Sequence, residues 1–194
     1  MTAHKIVLGM GCLSTARIVL FECGRCLFVY KNSQDIERGI IMYVSQTSDH
    51  EIIAKLNQNV HNLHVKLYPK YFKEYDYSAM KDTFKTLVEN NRYIFLLLKD
   101  HEEPVGYAWI EIKNHPENAF KNAYKSVYVH QLSIVESQTQ KGYGKKLMNE
   151  VYDIAKKNDI DLIELDYWFE NNGAKEFYKK QHFKKYREFA FKQL

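Results

Sequence analysis

The chain has 194 residues, of which 45% are hydrophobic, and it carries a formal net charge of +4. This length and composition suit one globular domain with a substantial core and differ from those of disordered chains. Acidic and basic residues alternate without forming a basic block, and no apolar run reaches about 18 residues, so we expect no nucleic-acid partner and no membrane-spanning segment.

The first 41 residues stand apart from the rest of the sequence. They contain all three cysteines, and the CxxC pair Cys23 and Cys26 lacks the further ligands of a zinc site, so we expect no metal. The absence of cysteine from the remainder fits a reducing, cytoplasmic location. Residues 36–42, "IERGIIM", can be encoded as a ribosome-binding sequence followed by a start codon. We therefore expect residues 1–41 to be an extension made of translated upstream sequence, Met42 to be the natural start, and residues 42–194 to form a single domain.

From Met42 onward, the hydrophobic pattern predicts an orderly series of elements. A strand over 41–46 precedes a helix that begins at a capping box, with Ser48 as N-cap and Glu51 three residues later. This helix stops at Pro69, and a tyrosine-rich link leads to a second helix with apolar residues on one face.

The second half of the chain alternates strands and helices. The predicted strands span 92–100, 104–112, 124–135, 161–169 and 183–192, and the predicted helices span 143–158 and 171–181. The order β-α-α-β-β-β-α-β-α-β implies an α/β fold, with a mixed sheet covered by helices on both faces.

Two glycines, Gly142 and Gly144, lie between the long central strand and the helix at 143–158. A helix N-terminus attracts anions, and glycine lets the backbone approach them because it has no Cβ. A P-loop would need a glycine five residues before one of these two, and a dinucleotide turn would need a glycine in place of Leu147. A short x-x-G-x-G turn can instead hold the pyrophosphate of coenzyme A, although two glycines also suit a tight connection without a ligand.

The segment 171–183, "NNGAKEFYKKQHF", resembles the N-x-x-A-x-x-F-Y-x-x-x-G-F segment of the GNAT superfamily of N-acetyltransferases, and it follows the glycine turn at the expected distance. The resemblance covers residues from about 42 to 194. It implies the GNAT fold, a mixed and mostly antiparallel sheet of six to seven strands flanked by four helices, with a splayed central pair of strands. It also implies acetyl transfer from acetyl-CoA, as co-substrate and without a metal, to a primary amine of a small molecule or peptide by direct attack in a ternary complex.

The resemblance also assigns residues to the coenzyme A site. The family turn [RQ]-x-x-G-x-[GA] falls on residues 139–144, where Thr139 departs from the usual arginine or glutamine. In the family, main-chain groups at the end of the central strand meet the thioester and the pantetheine arm, which an asparagine also bonds. The expected coenzyme A residues are Ile134, Val135, Thr139, Gln140, Lys141, Gly142, Tyr143, Gly144, Lys145, Asn171 and Tyr178.

Tyr178 resembles the family tyrosine that protonates the departing thiolate, and the ordinary pKa of tyrosine, about 10, suits a thiol leaving group. His130, on the central strand, is the expected base, since the ordinary pKa of histidine lies near neutrality. Strand alternation predicts that Tyr128, His130, Leu132 and Ile134 share one face of the sheet. Glu111 and Asp166, on the neighbouring strands, are alternatives that could act as the base or hold the substrate cation.

The acceptor and the oligomeric state, monomer or homodimer, stay open at this point. Aromatic residues of the link between the first two helices could wall an acceptor site or pack the helices together; they are Tyr68, Tyr71, Phe72, Tyr75 and Tyr77. The alternative function is a non-catalytic module that binds or senses acyl-CoA, and the presence of Tyr178 argues against it.

Overall fold

A computed structural model describes residues 42–194 and the backbone of residues 19–23 and 26–30. Strands β1 (Val19–Cys23) and β2 (Cys26–Tyr30) pair antiparallel in a two-stranded sheet of their own. Cys12 and most of residues 36–42, on which the expected start at Met42 depends, lie outside the described residues.

The main sheet has five strands in the order β3-β4-β5-β6-β7, and all neighbours are antiparallel except the parallel pair β6 and β7. Its strands are β3 (Met42–Gln46), β4 (Tyr93–Asp100), β5 (Glu103–His115), β6 (Tyr124–Ile134) and β7 (Ile163–Leu165). The helices are α1 (His50–Leu67), α2 (Tyr77–Val88), α3 (Tyr143–Lys157) and α4 (Asn172–Lys180). The predicted mixed sheet with four helices is therefore confirmed.

Two details of the prediction are wrong. Within the described residues the main sheet has five strands rather than six to seven, because residues 183–192 form no strand. Phe183 packs on the core, but the later aromatics Phe189 and Phe191 find no core to cover and are 101% and 81% exposed. Helix α1 is capped by Asp49 instead of Ser48, since the Asp49 carboxylate accepts a hydrogen bond from the Ile52 N–H at 3.0 Å.

The sheet is buried on both faces, and each face has its own set of helices. On one face, α3 contributes Leu147, Met148 and Val151, all fully buried, and α4 packs beside it. On the other face, α1 and α2 contribute Ile53 and Phe84. Each side chain buried in this way stabilises the fold by roughly 1.5–3 kcal/mol. We call the two surfaces the α3 face and the α1 face of the sheet.

Strand β6 contains a β-bulge at His130. Trp109 pairs with Gln131 and the next residue, Ile110, pairs with Val129, so His130 is an extra residue without a partner on β5. The extra residue reverses the alternation of side chains beyond it.

The prediction that Tyr128, His130, Leu132 and Ile134 share one face is therefore wrong for the last two residues. Leu132 and Ile134 pack in the core of the α3 face, whereas the ring of His130 stacks on Trp109, which belongs to the α1 face.

Strands β6 and β7 separate soon after they meet. They pair only from Val127 with Ile163 to Val129 with Leu165, while β6 continues to Ile134 without a partner on that side. The predicted neighbouring and splayed pair of strands is confirmed. We call the stretch beyond Val129 and Leu165, where β6 has no partner strand on that side, the gap between β6 and β7.

Candidate active site

The chain turns from β6 into α3 through residues 135–142. A 3-10 turn (Glu136–Gln138) precedes two residues with left-handed backbone, Gln140 at φ 64° and Gly142 at φ 84°. Gly142 is the N-cap of α3, and its carbonyl accepts the first helical hydrogen bond, from the Lys146 N–H at 3.1 Å. The N–H groups of residues 143–145 therefore have no intrahelical partner, and this end of the helix is suited to binding an anion.

The two glycines of this turn have different surroundings. A Cβ added at Gly142 would meet no heavy atom within 4 Å, so its backbone faces open space. A Cβ added at Gly144 would lie 3.1 and 3.2 Å from two ring carbons of Phe177 on α4. Gly142 is thus favoured by its left-handed φ and Gly144 by close packing of α3 against α4.

The side chains around the turn mostly bond to the protein itself. Tyr143 is buried, and its hydroxyl donates to an Asp100 carboxylate oxygen at 2.5 Å, which fixes the start of α3 to the end of β4. Thr139 and Lys141 hydrogen-bond to the preceding 3-10 turn, at 2.9 and 2.6 Å. Lys145 is exposed. The groups left for an anion are the backbone N–H groups and the Lys145 ammonium.

The end of β6 presents main-chain groups along the gap beside β7. The Val135 N–H donates to the Val105 carbonyl at 2.9 Å and points towards β5. Because backbone groups alternate along a strand, the main chain of Ile134 points to the opposite, unpaired edge. The Val135 carbonyl accepts from the Gln138 N–H at 2.8 Å, so of the two predicted residues only Ile134 offers its main chain to a ligand.

Helix α4 positions Asn171 and Tyr178. The Asn171 side-chain oxygen caps the helix by accepting from the Ala174 N–H at 3.0 Å, which leaves its NH2 group as a donor. The Tyr178 ring is buried and stacks on Tyr167 with centroids 5.9 Å apart. Among the described residues, nothing hydrogen-bonds its hydroxyl. Burial raises the pKa of Tyr178, so this hydroxyl is a protonated donor at neutral pH.

His130 is held on the α1 face by three kinds of contact. Its Nε2 lies 2.8 Å from Glu111 Oε2, its ring stacks on Trp109 at 4.5 Å, and the rings of Tyr93 and Tyr128 meet it edge-on. Because an ionised carboxylate only accepts hydrogen bonds, Nε2 carries the proton. In the neutral ring, Nδ1 is then the nitrogen that can accept a proton.

Glu111 is the most heavily bonded carboxylate of this face. Its side chain is 3% exposed, and Arg92 donates to Oε1 through Nε at 3.1 Å and Nη2 at 2.5 Å. Burial raises the pKa of Glu111. The hydrogen bonds from His130 and Arg92 and the charges of Arg92 and Lys113 together lower it by more, so the net effect is a lowered pKa. Both oxygens have partners, so Glu111 is placed to orient His130 rather than to take a substrate proton itself.

The pKa of His130 lies below its ordinary value of 6.5. Burial lowers it most, Lys113 lowers it further, and hydrogen bonding to Glu111 and the charges of Glu111 and Asp166 offset only part of this. The imidazole is therefore mainly neutral at pH 7 and able to act as a base.

Asp166 lies where β6 and β7 part. It accepts a hydrogen bond from the Tyr128 hydroxyl, which reaches across from β6. The structure thus brings His130, Glu111 and Asp166 together on the α1 face, whereas Tyr178 packs in the core of the α3 face. His130 on β6 and Asp166 after β7 both border the gap between the strands.

Sequence reasoning missed Arg92, Trp109 and Trp168. Trp168 packs against three of the link aromatics. Its ring centroid lies 4.5 Å from that of Tyr68, 5.7 Å from that of Tyr71 and 5.2 Å from that of Phe72. Alternation in "DLIELDYWF" is the signal that could have found it, because Ile163, Leu165 and Tyr167 pack in the core of the α3 face. By that alternation Glu164, Asp166 and Trp168 lie on the α1 side.

Tyr75, another of the link aromatics, has a structural role. The Tyr75 hydroxyl donates to the Ala54 carbonyl of α1 at 2.5 Å.

In the part of the chain that the structure describes, no group of three or more His, Cys, Asp or Glu residues could hold a metal ion. No helix within the described ranges combines the length and apolar character that a membrane crossing requires.

Residues 57–183 match the model of the Acetyltransferase (GNAT) family. A search of curated proteins finds none that matches the chain. Among solved structures, a tetramutant of protein BH1408 from Bacillus halodurans is similar, with TM-score 0.73, 24% identity, and 79% of this chain and 99% of that chain covered.

Two aminoglycoside acetyltransferases are also similar in structure. For aminoglycoside N-acetyltransferase AAC(6')-Iy in complex with CoA, the TM-score is 0.59 at 15% identity, covering 81% of this chain and 97% of that chain. For meta-AAC0020, from an uncultured soil metagenomic sample, the TM-score is 0.54 at 14% identity, covering 79% and 96%. At these identities, the similarity shows a shared fold.

The different surroundings of the two glycines can be tested by protein stability. We expect Gly144→Val to lower the free energy of unfolding by on the order of 2 kcal/mol, because the new side chain overlaps the ring of Phe177. Phe177→Leu should reduce that cost, giving a coupling energy of at least about 0.5 kcal/mol in a double-mutant cycle followed by urea denaturation. Gly142→Ala is the matched control: it introduces only backbone strain, about 1–2 kcal/mol, and should show no coupling to Phe177→Leu. Equal coupling for both glycines would contradict the assignment.

Proposed function

The chain belongs to the GNAT family of acetyltransferases, and we propose that it transfers the acetyl group of acetyl-CoA to a primary amine of a small molecule or peptide. The observation that carries the proposal is the turn at Gly142, where a left-handed backbone faces open space at the start of α3. Free N–H groups and the helix dipole make this end of α3 suitable for a pyrophosphate. Acetyl-CoA would supply the acetyl group as an activated thioester.

The described residues fit this co-substrate along one path. The backbone of residues 142–145 would bind the phosphates, with Lys145 adding a positive charge. The main chain of Ile134 would face the thioester, and the free NH2 group of Asn171 would donate to the pantetheine arm. Two aminoglycoside acetyltransferases among the similar structures support a small-molecule amine as the acceptor.

The proposed chemistry uses His130 and Tyr178 for the two proton transfers. His130 Nδ1 accepts a proton from the amine as the C–N bond forms, and the ionised Glu111 stabilises the resulting imidazolium. Tyr178 donates its proton to the sulfur as the C–S bond breaks. Residues 42–194 contain no cysteine that could carry the acetyl group as a thioester, which favours direct attack in a ternary complex.

The coenzyme A site can be tested with Gly142→Asp. We expect acetyl-CoA affinity, measured by calorimetry, to fall on the order of 10²-fold, because a carboxylate beside the pyrophosphate costs several kcal/mol. Asn149→Asp places the same charge at an exposed position of α3 and should bind like the wild type. Undiminished binding by Gly142→Asp would remove the turn from the proposed site.

Tyr178→Phe tests whether the chain is an enzyme or a module that only binds acyl-CoA. The ring packing is kept and only the donor is lost, so turnover should fall on the order of 10²-fold or more with acetyl-CoA affinity little changed. Tyr152→Phe is the matched control, since Tyr152 is a partly buried tyrosine that influences the pKa of Tyr178 and has no proposed catalytic part. Full activity of Tyr178→Phe would exclude it as the general acid. Binding without transfer by the wild type would favour the alternative function.

The pH dependence tests His130. The value of kcat/KM for the acceptor should rise with pH through the pKa of His130, below its ordinary 6.5, because only the neutral ring accepts a proton. His130→Gln should remove this acid limb. Glu111→Gln removes a charge that raises the pKa and should move the limb to lower pH, while Lys113→Gln removes a charge that lowers it and should move the limb to higher pH. A His130→Gln pH profile that overlays the wild-type profile would exclude His130 as the base.

A further inference from the structure

Two carboxylates lie near His130, and they differ in the bonds that they already make. Glu111 is buried and bonds to Arg92 and His130, with the Lys113 ammonium 3.8 Å away. Asp166 is exposed, accepts the Tyr128 hydroxyl, and forms no ion pair with any residue that the structure describes. Of the two, Asp166 is the carboxylate that can still take a cation.

The position of Asp166 is fixed by Tyr128. Tyr128 pairs with Glu164, two residues before Asp166, and its hydroxyl bonds Asp166 at the point where the strands part. The ring of Tyr128 lies 4.9 Å from the ring of His130. One carboxylate oxygen is therefore held by Tyr128 while the carboxylate sits beside the proposed base.

Asp166 also lies within electrostatic reach of both proposed catalytic groups. Burial dominates the pKa of His130 and of Tyr178, but in each case the charge of Asp166 adds an upward contribution. A carboxylate that acts on both residues therefore lies at the gap between β6 and the segment after β7.

Apolar rings lie next to Asp166 on the same side. Trp168 follows two residues later, is 37% exposed, and packs on Tyr68 at 4.5 Å. The Tyr68 hydroxyl accepts from the Glu170 N–H at 2.7 Å, so the link between α1 and α2 is tied to the segment after β7. An ammonium at Asp166 would thus have aromatic surface beside it for its carbon skeleton.

We propose that Asp166 binds the ammonium of the acceptor beside His130, and that Trp168 and Tyr68 contact its carbon skeleton, so that the acceptor is a primary amine on an apolar body. This inference rests on the proposed function. Asp166 orients the cation and keeps no proton. His130 Nδ1 takes one proton from the ammonium and passes it to water, which frees the lone pair of the amine, and it then takes the second proton as the C–N bond forms. The amide product is neutral and loses the attraction to Asp166, which favours its release.

The test is the binding of hexylamine to the protein saturated with coenzyme A, measured by calorimetry at neutral pH. We expect Asp166→Asn to weaken binding 10- to 100-fold, in line with the loss of a charged hydrogen bond. Asp161→Asn removes an exposed carboxylate just before β7 and is the matched control, expected to bind like the wild type. Equal affinity of Asp166→Asn and the wild type, or no hexylamine binding by the wild type, would overturn the inference.

A second comparison tests the apolar body. The wild type should bind hexylamine at least tenfold more tightly than ethanolamine, and Trp168→Ala should reduce that ratio. Tighter binding of ethanolamine or of the polycation spermidine would overturn this part of the proposal. Failure of this inference can be distinguished from failure of the proposed function. The proposed function fails if the wild type transfers no acetyl group, whereas this inference is tested by amine binding, which is measured without turnover.

Discussion

The extra residue at His130 in β6 determines how the two halves of the site face each other. Up to Val129, odd-numbered side chains of β6 point into the core of the α3 face; beyond the bulge, even-numbered side chains do so. Leu132 can therefore lie beside Gly144, 3.8 Å from where a Cβ would be, while His130 stays on the α1 face with Trp109 and Glu111. In a regular strand His130 and Leu132 would lie on the same face, so Leu132 could not pack under the start of α3 while His130 lies on the α1 face.

A buried polar network fixes the register of α1 on the sheet directly beside the bulge. The Asn57 side-chain NH2 donates to the Tyr107 hydroxyl at 3.0 Å and to Gln131 Oε1 at 2.9 Å, and Tyr107 donates to the same Gln131 oxygen. Such groups stabilise one arrangement because any displacement leaves buried polar atoms unpaired. Gln131 immediately follows His130, so the network that anchors α1 also restrains the base.

Local signals in the sequence predicted much of this fold, and contacts between distant residues account for what they missed. The turn at Gly142 and the segment around Asn171 and Tyr178 are short sequence patterns that can be recognised without knowledge of tertiary contacts. The role of Gly144 depends on Phe177, and the state of Glu111 depends on Arg92, which no periodicity reveals. The bulge left one visible trace, the polar pair His130–Gln131 between Val129 and Leu132, which interrupts the alternation. The expected strand over 183–192 shows the converse, since alternation alone does not create a surface to cover.

The separation of β6 from β7 leaves the two carboxylates of the site in different surroundings: Glu111 is buried and Asp166 is exposed. Pairing of β6 with β7 ends at Val129, so the main-chain groups of Ile134 that point away from β5 have no partner strand. Such unpaired backbone groups must be satisfied by water or by a ligand. A gap of this kind admits water, which screens charges and would weaken an acid–base pair exposed to it. The Glu111 side chain is 3% exposed and hydrogen-bonds to Arg92 and His130, so its charge is screened less. Asp166, beside the gap, is exposed and accepts a hydrogen bond only from the Tyr128 hydroxyl among the described residues. The buried carboxylate thus suits a fixed electrostatic role beside His130, and the exposed one suits reversible contact with a cation, which is the role that we propose for Asp166.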